Sequence, residues 1–180
     1  AMEEIFDILD KNGDVTGKTA SRSYVHSHGL YHRTVHIWII REGKLLLQRR
    51  SHNKDSFPDR LDISSAGHID AGEEPLTGAV RELYEELGIK AEPFELVLAG
   101  RLSRHYVKHF RGKIFDDNEL AYVYIYTGKA DISRIRVQES EISGVELYPY
   151  EECLRLAAAD DEPLYLPELE MIGKYCDNKL

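Results

Sequence analysis

The chain has 180 residues, 42% hydrophobic and 31% charged, which suits one globular domain over residues 2–180 and speaks against disorder. Its formal charge of −9, from 32 acidic and 23 basic residues, argues against a protein that grips a nucleic-acid backbone, although a divalent cation could still bring it an anionic small molecule. Two distant cysteines, Cys153 and Cys176, no apolar run of membrane-spanning length and no basic leader set the expectation of a reduced, cytoplasmic compartment with no membrane partner.

Taken in chain order, Ile5 to Leu9 alternates and leads into Asn12-Gly13, a hairpin-type turn. Ala1, ahead of Met2, is left out of the fold reading. Thr34 to Ile40 is rich in β-branched and aromatic residues and predicts a strand. Glu42-Gly43 turns the chain into a second strand, Lys44 to Gln48. Ser51 to Asp62 carries Pro58 and many polar residues and reads as a loop. Pro75 to Leu87 has a clear helical period: Leu76, Ala79, Val80, Leu83 and Leu87 form one apolar face. Pro75 suits the first turn of that helix and Gly88 the position past its end. Further strands are predicted at Glu95–Leu102, Leu120–Tyr126 and Gly144–Tyr148. Helices are predicted at Glu151–Ala159 and Glu168–Tyr175, with Pro163 and Pro167 flanking a short loop between them. The expected class is α/β in the α+β sense, a mixed sheet flanked by helices.

The Pro75 helix carries Glu82, Glu85 and Glu86 at i, i+3 and i+4, on one face offset from the apolar stripe. Like charges so spaced cost about 0.2–0.5 kcal/mol per pair. Glu85 and Glu86 also sit near the helix C-terminus, where the helix dipole disfavours anions. The only basic residue on this helix is Arg81. A hard divalent cation with oxygen ligands, Mg²⁺ or Mn²⁺, would remove the repulsion. Spacing alone leaves a metal face and a solvated acidic face both open.

The longer segment reads Gly67, five residues, Glu73, seven residues, then Arg81-Glu82-Leu83-Tyr84-Glu85-Glu86-Leu87-Gly88-Ile89. It resembles the Nudix box, and every specified position matches. The resemblance implies a Nudix-type α/β/α sandwich and a Mg²⁺-dependent hydrolase, with Mn²⁺ as a substitute. The substrate it implies is a nucleoside diphosphate derivative or another small organic diphosphate. It also implies that Glu85 and Glu86 are metal ligands and that Glu82 is a further ligand or the base that activates water. Arg81 would orient Glu82, Glu73 would pair with Arg81, and the Gly67 carbonyl would join the metal shell.

Outside the box, Gly17, His26, His32, Leu45-Leu46-Leu47-Gln48-Arg49-Arg50 and Ala66-Gly67-His68 are similar to the isopentenyl-diphosphate isomerase-like branch of the same superfamily. Asp117-Asn118-Glu119 resembles a downstream acidic pair that supplies metal ligands in those isomerases, and His26, His32 and His68 stand where the branch places metal-binding histidines. The isomerases use a cysteine just before the Gly-His pair. Ala66 stands there and can move no proton, so hydrolysis is favoured over isomerase activity. A non-catalytic ligand-binding or regulatory domain is the other alternative, opposed by the intact box.

Further candidates come from position alone. Glu119, at a strand mouth, could reach the metal shell from the opposite side. Glu139 and Glu141 are weaker acidic candidates. His36, on a strand, reads as ordinary packing. Arg49 and Arg50 end a strand before the box and could meet phosphate. The stretch Arg101, Arg104, His105, Tyr106, Lys108, His109 and Arg111 could contact an anionic substrate, with Arg104 and His68 as the substrate-side candidates near the box. A solvent-facing hairpin tip would look the same. The identity of the diphosphate is left open, and a homodimer is an open expectation.

Overall fold

A computed structural model describes residues 2–54, 56–159 and 162–179. The chain opens with strands β1 (Ile5–Leu9) and β2 (Val15–Ser21), which pair as a separate antiparallel ribbon. Helix α1 (Arg22–His28) follows, capped by Ser21, whose side chain accepts from the Tyr24 amide. Strands β3 (Tyr31–Arg41), β4 (Lys44–Arg50), β5 (Leu61–Asp62) and β6 (Ser65–His68) lead to helix α2 (Pro75–Leu87). The long strands β7 (Leu96–Phe110) and β8 (Lys113–Tyr126) come next, then β9 (Ile142–Pro149) and helices α3 (Tyr150–Ala159) and α4 (Leu166–Lys179).

The main sheet runs β5-β4-β3-β8-β7, with β6 added on β3 and β9 on β4. β3 and β8 are parallel and the other pairs antiparallel, so the sheet is mixed as expected. The two-residue period of a strand sorts its faces. Val35, Ile37 and Ile39 of β3 pack with Ala79, Leu83 and Leu87 of α2. Trp38 of β3 and Val123 and Ile125 of β8 pack on the other side with Cys153 of α3 and Leu169 and Ile172 of α4. This is a helix–sheet–helix sandwich. Among the described residues, no helix is long and apolar enough to cross a membrane.

Several boundaries differ from the sequence expectation. The Ser51–Asp62 segment does not end as loop, because Leu61-Asp62 pairs with Gln48 and Arg49 of β4. The strand expected at Glu95–Leu102 continues to Phe110, and β8 starts at Lys113. Arg111 and Gly112 join them, both with positive φ (49° and 76°), the geometry of a tight two-residue hairpin. Much of the basic, aromatic stretch is therefore paired strand. Helix α4 begins at Leu166, so Pro167 lies in its first turn, where a missing amide hydrogen costs nothing.

Candidate active site

Antiparallel pairing of β6 with β3 sets Ala66 opposite His36 and Gly67 opposite Val35. Helix α2 lays its acidic face against this strand. Gly67 is required by proximity: a Cβ there would lie 2.1 Å from the Glu82 carboxyl carbon and 2.3 and 2.5 Å from its oxygens. One turn on, Glu86 Oε1 accepts from the Ser65 hydroxyl (2.6 Å) and the Ala66 amide (2.8 Å). Glu82 and Glu86 are each 8% exposed, whereas Glu85 is exposed.

Arg81 ties the group together. Its Nε and Nη2 donate to the two oxygens of Glu73, each at 2.9 Å. Nη2 also donates to the His68 carbonyl (3.0 Å). Nη1 donates to Glu82 Oε1 (2.9 Å) and Glu85 Oε2 (3.2 Å). A planar guanidinium can serve all these acceptors at once.

Burial, followed by repulsion from Glu86, pushes the Glu82 carboxyl up to about 8, against the pull of Arg81. Burial likewise raises Glu86 to about 7, against the hydrogen bonds from Ser65 and Ala66. Glu73 shifts the other way: burial opposes its ionisation, but Arg81 holds it below the usual range. Carboxyls whose ionisation is penalised by burial and mutual charge gain from a hard cation. Glu82 and Glu86, with the exposed Glu85 beside Glu82 on Arg81, offer oxygen donors of the kind that Mg²⁺ or Mn²⁺ takes.

A second donor set faces the same cleft. Ligand atoms of His26, His32 and His68 lie within 4.8 Å of one another, as do those of His32, Asp117 and Glu119. His32 Nδ1 meets the Leu30 carbonyl at 2.9 Å. A carbonyl only accepts, so Nδ1 carries the hydrogen and Nε2 is left as a donor atom for a metal. His32 Nε2 and Asp117 Oδ1 are buried with no hydrogen-bond partner and lie 3.6 Å apart. The same Asp117 oxygen lies 3.5 Å from His26 Nε2. Buried polar atoms so placed are costly unless an ion or a water satisfies them, and a cation would serve all three. The fully buried Phe6 ring stacks on His68 (4.6 Å, 6°) and on His32 (5.5 Å, 9°). Burial drives the His68 imidazole well below its ordinary value, with Arg22 adding to it, and lowers His32. Burial raises Asp117 to about 6.

One cleft of about 1540 Å³ is lined by Glu82, Glu85, Glu86 and Gly67 together with His26, His68, Asp117, Glu119 and Arg104, while His32 is fully buried. Arg50 also lines it, held by Asp62 (3.0 Å) and by the Ser56 carbonyl and hydroxyl. Arg49 is engaged elsewhere, by Glu146 (2.8 Å) and the Asp59 carbonyl (2.8 Å), and is not among the described residues lining the cleft. Strand alternation splits the basic stretch of β7. Arg104 and Tyr106 face the cleft, while Arg101, His105 and His109 are exposed on the opposite side. Arg104 lies over two rings, Tyr165 at 4.6 Å and Tyr106 at 5.3 Å. Glu141 reaches the cleft and pairs with Lys54.

His36 departs from its reading as ordinary packing. Its Nε2 lies 3.2 Å from Glu119 Oε1 and its Nδ1 2.9 Å from Glu168 Oε1. Burial works against the ionisation of Glu119, yet the hydrogen bond from His36 holds its carboxyl below the usual range. Glu168 and Phe6 were not legible as site residues. The one available signal was strand parity, which puts His36 on the same face as His32 and Trp38.

Comparison with known proteins agrees with this geometry. The NUDIX domain family model matches residues 30–169. An uncharacterized Nudix hydrolase of Clostridium acetobutylicum is 40% identical over 157 residues, covering 85% of this chain and 73% of that protein. Nudix hydrolase 3 of Arabidopsis thaliana is 42% identical over 179 residues, 96% of this chain, but the chain spans only 22% of that relative's length. The crystal structure of DR0079 from Deinococcus radiodurans shares the fold, with a TM-score of 0.67 at 21% identity over 93% of this chain and 97% of that one. The sandwich, the complete box folded around Gly67 and these matches together place the chain in the Nudix hydrolase family.

Proposed function

We propose that the chain hydrolyses a diphosphate bond in a nucleoside diphosphate derivative or related small organic diphosphate, with Mg²⁺, or Mn²⁺ in its place, as the required ion. The observation that carries this reading is that Glu82 abuts the Gly67 backbone, Glu86 is tied to Ser65 and Ala66 just before it, and both line one cleft with Glu85. Glu85, Glu86 and the Gly67 carbonyl would hold the ion, with Glu82 at its edge; Glu119, on β8, would serve the neighbouring set with His32 and Asp117. When bound, the ion neutralises phosphate charge and acidifies a water molecule.

The remaining steps belong to the chain. Glu82 Oε1 is occupied by Arg81, so proton acceptance from the attacking water falls to Oε2. Burial has already raised the affinity of that carboxyl for a proton, which suits a base working near neutral pH. Arg81, anchored by Glu73, holds Glu82 in place. Arg50 and Arg104 line the cleft as guanidinium partners for phosphate oxygens, and His68 lines it next to Gly67. The placement of Arg49 does not support a phosphate contact.

The His26, His32, His68, Asp117 and Glu119 set supports placement in the isomerase-like branch. Ala66 argues against the isomerase reaction itself: its amide serves Glu86 and its methyl group can neither donate nor accept a proton. The test is a panel of nucleotide sugars, nucleoside diphosphates, dinucleotides and isoprenoid diphosphates, with and without Mg²⁺, read by phosphorus NMR. Metal-dependent release of phosphate or a monophosphate from a panel member is expected. Metal binding without turnover of any compound would favour a ligand-binding domain.

A further inference from the structure

Glu168 is 3% exposed and sits in the first turn of α4, a helix whose Leu169 and Ile172 pack into the core. A helix that only covers a sheet has no packing need for a carboxylate there, and burying one is costly unless its oxygens are satisfied. Both oxygens of Glu168 are satisfied, and by the same face of β3. Oε1 accepts from the Trp38 indole N–H (2.9 Å). Oε1 and Oε2 face His36 Nδ1 at 2.9 and 3.0 Å. The other nitrogen of His36 is spent on Glu119 (3.2 Å). Glu119 in turn belongs to the set with His32 and Asp117, where two buried polar atoms lack partners. An unbroken chain of contacts thus runs from the C-terminal helix to the cleft.

We infer that Glu168 is a positioning residue: acting through His36, it fixes the Glu119 carboxylate toward His32 and Asp117 and so sets the metal affinity of that cluster. The inference rests on the metal-dependent reading above. Carboxylate–histidine pairs behind a ligand commonly tune a metal site without touching the metal. Here the tuned ligand is itself a carboxylate, and the tuning group lies on an element outside the box.

Mn²⁺ binding to the metal-free chain, followed by electron paramagnetic resonance, tests this in wild type, E168Q, H36N and E85Q. Near-UV circular dichroism reports whether each variant keeps its packing. E168Q and H36N are expected to weaken one class of Mn²⁺ site by about tenfold or more, and that class is distinct from the one weakened by E85Q. A Glu168 that merely anchors α4 would lower the melting temperature and leave Mn²⁺ affinity of the folded protein unchanged. That result in E168Q overturns the inference; should E168Q not fold, the same result in H36N overturns it. Absence of saturable Mn²⁺ binding in wild type overturns the metal-dependent reading itself, so the two failures are separable.

Discussion

The α-carbon of Gly67 is pressed so close to Glu82 that a methyl group there would fall 2.1 Å from the Glu82 carboxyl carbon. The contact is with the end of a side chain that Arg81 also holds at Oε1, so Glu82 can make room for a methyl group only by giving up that tie. Gly67→Ala is expected to displace Glu82, to destabilise the fold by about 1–3 kcal/mol, and to abolish most hydrolysis. Urea unfolding alongside a turnover assay checks both. Near-normal turnover in the variant would show that the close approach is not required.

Arg81 makes a two-point contact with Glu73 and reaches Glu82, Glu85 and the His68 carbonyl as well. Lysine offers a single point charge and cannot reproduce that fork. Arg81→Lys is expected to lower kcat more than it raises KM, because Glu82 loses its anchor while the substrate side of the cleft is untouched. The loss should be about tenfold or more, given about 1.5–3 kcal/mol for a charge-assisted hydrogen bond. A pure KM effect would instead assign Arg81 to substrate binding.

The raised carboxyls make metal binding and stability depend on pH. The sign follows from proton counting. Folded Glu82 and Glu86 keep protons up to about 8 and about 7, whereas the unfolded chain releases them in the ordinary carboxylate range. Their contribution is present at pH below that ordinary range and is lost as pH rises through about 7 to 8. His36 adds to the same trend: burial opposes its charge, but Glu168 and Glu119 raise it well above the ordinary imidazole value. Glu119 and Glu168 are held low and act only at the acid end. His32 and His68, held low by burial, oppose this trend below the ordinary imidazole value, so the comparison is made from that value upward. The metal-free chain should melt at a lower temperature at about pH 8.5 than at about pH 6.5, and added Mg²⁺ should raise the melting temperature more at the higher pH. A Mg²⁺ effect that does not change with pH would contradict this.

The parts of the fold that were legible in sequence have strong local causes. Helix α2 follows from the period of Leu76, Ala79, Leu83 and Leu87, and the Glu42-Gly43 turn from two residues that adopt positive φ (52° and 74°). The Arg81–Glu73 and Arg81–Glu82 contacts follow from one helix and its preceding loop. Helix α1 was not legible, because it is a single short segment that buries only Val25 and His26. β2 shows no alternation to read, being exposed along most of its length. The Glu168–His36 contact joins residues 132 positions apart, and no local pattern announces such a pair. Arg49 and Arg50 are neighbours in sequence, yet strand geometry sends one to Glu146 and the other to the cleft.

The most direct measurement is the turnover number of Glu82→Gln on the diphosphate identified by the panel, at saturating Mg²⁺ and with the fold checked by circular dichroism. Glutamine keeps the shape beside Gly67 and the contact with Arg81 but removes the proton acceptor. A fall of about two orders of magnitude or more is expected, the scale of general-base catalysis. Near-wild-type turnover by the folded variant would contradict the assignment of the reaction to this face of α2.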